Sequence, residues 1–253
     1  VVAGKFTKNQ LPDQISTDKN KLDRAIVWGA KYKLDDNLNA AYYGLDSKDK
    51  LERHYANVNY KQALANDSTL TYDVSAYHTK FDQDAVTYSA TNTGDLKNTI
   101  WAVSAAYHTG SHNVMLAYQQ NNGNVGYDYG QNADGGQSIY LPNSYLSDFI
   151  GHDEKSAQIQ YNLDFSSLGI AGLNWTTAFV YGWDIKVQGL TDNATEHEFF
   201  NQVKYTTQSG FAKGASLSVR HSYYRASDEY QTNAYIGDTN EWRIFLDIPV
   251  KLF

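Results

Sequence analysis

The chain has 253 residues, a formal net charge of −7, 42% hydrophobic residues and no cysteine. The lack of cysteine excludes a disulfide framework and a thiolate metal site, and the acidic balance argues against a broadly basic nucleic-acid surface. No segment reaches roughly 18 consecutive apolar residues, the length of a membrane-spanning helix, so a helical membrane protein is excluded as well.

The 18 Gly and 3 Pro suit many strands joined by turns, because Pro cannot donate to a ladder. The 21 Tyr are the outlier. An amphipathic phenol suits both the wet lumen of a barrel and the aromatic girdles at its interfaces. No signal peptide begins at Val1, so an exported protein is expected here as a mature or trimmed chain.

Residues 1–6 predict a short strand, followed by a polar loop over 7–23. Residues 26–34 alternate, with Ile26, Trp28, Ala30 and Tyr32 on one face and Gly29, Lys31 and Lys33 on the other. Asp35, Asp36 and Asn37 predict a tight turn into a returning strand over 38–44. In the next pair, Ala56, Val58 and Tyr60 oppose Tyr55, Asn57, Asn59 and Lys61; after a turn at 66–68, Leu70, Tyr72, Val74 and Ala76 oppose Thr71, Asp73, Ser75 and Tyr77. A polar loop over about 81–97 leads to strands over 100–108 and 114–119 around a short turn. The longest break, 120–153, is rich in Gly, Asn, Asp and Tyr and is too long to be an idle connection.

The clearest alternation follows, with Ser156, Gln158, Gln160 and Asn162 against Ala157, Ile159, Tyr161 and Leu163. A turn at 169–172 leads to 173–182, where Leu173, Trp175, Phe179 and Tyr181 share a face. A loop over 184–195 precedes a strand over 200–208, with Val203 and Tyr205 opposing Gln202, Lys204 and Thr206. After a turn at 209–214, the last two strands, 217–224 and 242–248, place Arg220 and Arg243 on their polar faces. About twelve strands of about ten residues are readable, the length a tilted strand needs to cross a bilayer. Tight turns alternate mostly with longer loops; the short connection over 46–50 is expected on the long-loop side.

These features imply an all-β chain, a transmembrane antiparallel β-barrel with a polar interior and an apolar exterior. A soluble sandwich or a lipocalin-like barrel would turn the apolar faces inward. Flat bands of Ala, Leu, Val, Tyr and Trp on nearly every strand, with long loops at one end only, favour the membrane form. Trp28, Trp101, Trp175, Trp183 and Trp242 are expected in the interfacial girdle, core packing being the alternative. Phe253 shares parity with Arg243, so a bulge near Pro249 or a bent last residue is expected to turn it outward. The seven His show no metal-ligand spacing, and no cofactor is implied. Ser222 beside His221, and His152 beside Asp153, lack a nucleophile, base and orienter together, so no enzyme is expected.

Several stretches carry a family likeness: residues 98–107 (NTIWAVSAAY), 114–120 (VMLAYQQ), 135–144 (GGQSIYLPNS), 147–149 (SDF), 154–156 (EKS), 204–205 with 208–210, and 241–253. In this order and spacing the chain resembles the OprD-type substrate-specific porins, also called Occ outer-membrane carboxylate channels; its N-terminal third resembles them more loosely. The resemblance implies a monomeric barrel of about eighteen strands in a bacterial outer membrane, bounded by lipid and lipopolysaccharide. It also implies passive, selective uptake of small carboxylate-bearing solutes: amino acids, organic or aromatic acids, and as a further case carboxylate antibiotics. A plugged structural or receptor barrel, such as an adhesin or phage receptor, is the alternative. The family's chains are longer, so residues 1–253 are expected to form a single barrel domain, the C-terminal part of a longer barrel, unless the barrel closes with fewer strands.

By the same resemblance, Lys204, Arg220 and Arg243 fall at rungs of a basic ladder, and Tyr129, Ser138 and Asp148 of an inward-folded loop face it. A carboxylate leaving water needs charge-assisted partners, which Arg offers as a bidentate fork, and several partners along the path let an anion step onward. Ser218 and Ala178 stand where relatives can carry further basic residues, which points to a shorter ladder or one redistributed onto Lys31, Lys33 or Lys61. Gln137 and Leu146 weaken the acidic and aromatic side opposite it.

Overall fold

Twelve strands follow one another in a single antiparallel sheet, each hydrogen-bonded to its sequence neighbours. The computed structural model describes residues 2–7, 24–82, 96–129, 138–187, 189–231 and 236–249. The strands are β1 Val2–Thr7, β2 Arg24–Lys33, β3 Leu38–Ser47, β4 Leu51–Ala63, β5 Thr69–Phe81 and β6 Leu96–Thr109. They continue as β7 His112–Gly123, β8 Lys155–Asp164, β9 Leu173–Ile185, β10 Ala194–Thr206, β11 Ser216–Ala226 and β12 Thr239–Asp247. Among the described residues β1 and β12 are not paired with one another.

The turn chemistry sets the registers. Asp35 Oδ1 accepts hydrogen bonds from the amides of Asn37 (2.7 Å) and Leu38 (2.8 Å), closing the β2–β3 turn. Asn66 and Asp67 adopt left-handed backbone (φ 58° and 55°) between β4 and β5. Tight turns therefore sit at one end of the sheet, after β2, β4, β6, β8 and β10. The connections after β5, β7, β9 and β11 lie at the other end, together with the short one between β3 and β4, as the sequence suggested.

With a side-chain period of two, each register puts one polar row inward. Ser75, Gln119, Ser156 and Gln158 are buried, while Ile244 (72% exposed), Trp242 (67%), Leu116 (58%), Ile159 and Val74 stand outside. This is the inverse of a soluble sheet, and it is what a lipid-facing exterior requires. All five Trp share the outward parity. Trp101 and Trp183 flank Tyr118 toward the long-loop end, with ring centroids 5.6 and 6.2 Å from it, and Trp175 packs on Tyr161 (6.0 Å) toward the tight-turn end.

Several elements run longer than sequence patterning suggested. β10 starts at Ala194, six residues ahead of the expected strand, because the polar residues Glu196 and Glu198 face the interior rather than a loop. β7 runs on to Gly123, so the long break begins only at residue 124. Phe253 lies outside the described residues; regular pairing of β12 ends at Asp247, and Pro249 follows the strand.

Candidate functional site

The connection between β7 and β8 lies against the polar face of the sheet and is fastened there by side chains of the wall. Gln119 Nε2 donates to the carbonyls of Asp148 (3.0 Å) and Phe149 (2.8 Å), and Asn121 Nδ2 donates to those of Ile150 (2.7 Å) and Gly151 (2.6 Å). Asn143 Nδ2 donates to Ser156 Oγ at 2.8 Å. Arg53 donates to the Asp128 carbonyl and to Thr79 Oγ1 (2.9 Å), and its guanidinium stacks over Tyr127 at 4.3 Å. Tyr77, Ile100, Ala102, Tyr127, Ile139 and Ile150 form an apolar cluster between loop and wall. The loop thus has a core of its own inside the barrel wall.

Three buried carboxyls complete the fastening. Glu198 accepts hydrogen bonds from the backbone amides of Leu146 and Ser147, each at 3.0 Å. Glu196 accepts from Ser147 Oγ at 2.9 Å and from the Tyr224 hydroxyl. Glu154 accepts from the Gly151 amide at 2.6 Å, and its other oxygen fits only because residue 182 is glycine: a Cβ there would lie 2.1 Å from Glu154 Oε1. Burial first, and the charge of Glu196 second, push the Glu154 carboxyl well above the ordinary carboxylate range. The fold therefore favours the neutral form of Glu154 beside the Glu196 carboxyl. Phe149, buried between these groups, holds left-handed backbone (φ 52°), a strained conformation that dense contacts retain.

This fastening sets Ser144, Tyr145 and Leu146 opposite the wall. Between them lies a cavity of about 380 Å³ whose wall side carries Gln160, Asn162, Thr176, Gln202, Arg220 and Arg243. Tyr145 stacks on Phe200 (4.3 Å between centroids, 25° between planes) and hydrogen-bonds to Gln160 and Gln158. Arg220 and Arg243 are direct cross-strand partners. Arg220 Nε donates to Gln202 Oε1 at 2.6 Å, with its guanidinium 4.7 Å over the Phe245 ring, and Arg243 pairs with Glu241. Two like charges opposite each other repel, and one Glu241 offsets only one of them. Their Nη groups make no hydrogen bond with the described residues, so they remain available to a carboxylate, which would relieve that repulsion.

The remaining expected residues are placed differently. Lys204 faces inward on β10 but opposes Ser218 and Asn174, one pleat from the arginine level toward the tight turns. Tyr129 and Asp148 are joined to each other: the Tyr129 hydroxyl donates to Asp148, as does Ser144 Oγ. Burial pushes the Asp148 carboxyl above its ordinary value. Ser138 belongs to a second cavity, on the β2–β5 side, with Lys31. Lys33 pairs with Asp36 at 2.6 Å. Gln137 lies outside the described residues. Sequence reasoning missed Glu154, Glu196 and Glu198; their only signal was acidic residues at inward parity beside a strand.

An inverted sheet with a polar lumen, narrowed by an inward loop that holds a cavity against an arginine pair, defines an outer-membrane β-barrel of the channel class. The model of the OprD family of outer membrane porins matches residues 2–252. Porin D of Pseudomonas aeruginosa is 35% identical over 242 residues, covering 88% of this chain and 52% of Porin D. Among solved structures, OccAB1 of Acinetobacter baumannii is 72% identical with a TM-score of 0.92, covering 99% of this chain and 64% of that one. OprD of Pseudomonas aeruginosa is 31% identical with a TM-score of 0.82, covering 99% and 66%. The chain belongs to the OprD family, whose members are outer-membrane channels rather than enzymes. It spans about half to two-thirds of the length of these relatives.

Proposed function

We propose that the chain forms the selective wall and constriction of an outer-membrane channel for passive uptake of small carboxylate-bearing solutes. The observation that carries this reading is the Arg220–Arg243 pair, with unengaged Nη groups, in a cavity closed by residues 144–146 of the inward loop. A carboxylate entering from the long-loop end meets the two guanidinium forks, which replace its hydration by charge-assisted hydrogen bonds. Lys204, about 7 Å further along at two residues of strand rise, offers the next partner and a way out. Gln160, Asn162 and Thr176 supply neutral hydrogen-bonding groups beside the charges, so an anion is held without being trapped.

Residues 1–253 act in this reading as a single domain, the C-terminal part of a longer barrel. The unbroken strand order and the shares of the relatives' lengths support it. The barrel works as a monomer in contact with outer-membrane lipid and lipopolysaccharide. Planar-bilayer recording of the full-length protein tests the reading: discrete ion currents are expected, and an absence of resolvable current would favour a plugged receptor barrel instead.

A further inference from the structure

The two arginines of the cavity are held by acceptors of different charge. Arg220 Nε donates to the neutral amide oxygen of Gln202 at 2.6 Å. Arg243 Nε is paired with the carboxylate of Glu241, on the same inward face of β12. In both, the Nε edge is spent on the wall and the Nη groups make no hydrogen bond with the described residues. The two forks are nonetheless unequal. Arg220 keeps its whole charge, whereas Arg243 shares its charge with an acid.

Glu241 stands directly opposite Ser222 and lines the same cavity as both arginines. Its side chain is 34% exposed, so it is not sealed from a solute in that cavity. Glu196 and Glu198, the wall acids of β10, are buried under the loop and spent on Leu146 and Ser147. Among the described lining residues Glu241 is thus the acid a solute meets, beside two positive charges. The next cation, Lys204, lies one pleat away, opposite Ser218. A conducting site must bind its anion and also release it. Two bare guanidinium forks side by side would grip a dianion through charge-assisted bonds to each. An acid beside one fork repels every negative charge on the solute, and that repulsion counts twice for a dianion.

We propose that Glu241 is a specificity-determining residue of the arginine cavity, whose negative charge keeps doubly charged solutes from being retained there. The proposal rests on the reading of this cavity as a carboxylate site. A purely structural Glu241 would only orient Arg243. Glu241→Gln separates the two roles, because its amide oxygen can still accept from Arg243 Nε while the charge is gone. Saturation-transfer NMR of the detergent-solubilised full-length protein, with empty micelles subtracted, measures butyrate and succinate affinity without any need for conduction. The two share a chain length and differ by one charge at neutral pH, and low salt keeps screening small. Removing one charge about 6 Å from the solute strengthens binding about threefold per solute charge even in a water-like dielectric. In Glu241→Gln, butyrate is therefore expected to gain about threefold and succinate about tenfold. Equal gains for both anions, or none for either, would overturn the role and leave Glu241 as a support for Arg243. Failure of the unsubstituted protein to bind either anion would overturn the carboxylate reading of the cavity along with it. A gain larger for succinate, in a protein that carries no bilayer current, would leave the role in binding standing and remove the channel reading instead.

Discussion

Glu198 on the barrel wall accepts a 3.0 Å hydrogen bond from the backbone amide of Ser147, fifty-one positions away in the inward loop. Together with its bond to the Leu146 amide, this one carboxylate fixes the loop segment that closes the arginine cavity. Glu198→Ala would leave two buried amides without acceptors, a cost of about 3 kcal/mol. Single-channel records of the full-length variant are expected to show a higher mean conductance and more open-state noise. An unaltered record would mean that the other fastenings of the loop hold it without Glu198.

Gly182 makes room for the Glu154 carboxyl, and that dependence is testable by substitution. An added Cβ would meet Glu154 Oε1 at 2.1 Å and the Phe149 ring at 3.0 Å. Gly182→Ala is expected to destabilise the fastened loop by about 1–3 kcal/mol, as overpacking does, while the barrel still folds. Heat-modified mobility in electrophoresis checks the barrel, and conductance noise checks the loop. The double variant with Glu154→Ala should be little noisier than Glu154→Ala alone, because removing the Glu154 side chain relieves the closest of the clashes.

The Glu154 carboxyl also predicts a pH dependence with a defined sign. Its pKa in the folded protein is raised, chiefly by burial and then by Glu196, so the neutral acid is the form the fold favours. Its contribution to loop fastening is full below the ordinary carboxylate pKa and is lost as pH rises through the raised value. Open-channel noise is therefore expected to increase toward alkaline pH and to stay low on mild acidification. Glu154→Gln, which cannot ionise, should flatten the alkaline rise; a rise of the same size in that variant would assign it to another group.

Much of the wall was legible because a strand needs only local alternation to declare itself. Arg220 and Arg243 were both assigned to the lumen from parity within their own strands, and the β11–β12 register then made them partners. Lys204 shows the limit of that reasoning. Parity gives the face, but the level along the barrel depends on the β10–β11 register, which sets Lys204 opposite Ser218 rather than Arg220. The start of β10 was hidden for a related reason: Glu196 and Glu198 look like loop residues until a polar interior is available to receive them. The loop's fastening could not be read at all, since Ser147 and Glu198 meet only through the fold. Tyr129 and Asp148 were both expected to face the basic wall; the hydrogen bond that ties them to each other depends on how the loop folds back on itself.

The central claim is that the arginine pair recognises carboxylates rather than merely shaping the pore. The most direct measurement is liposome swelling with the full-length protein and its Arg243→Ala variant, using a small carboxylate such as glutamate and a neutral sugar of similar size. Removing one bidentate partner of about 1.5–3 kcal/mol is expected to slow carboxylate uptake by about tenfold or more and to leave sugar uptake nearly unchanged. Equal loss for both solutes would contradict the account.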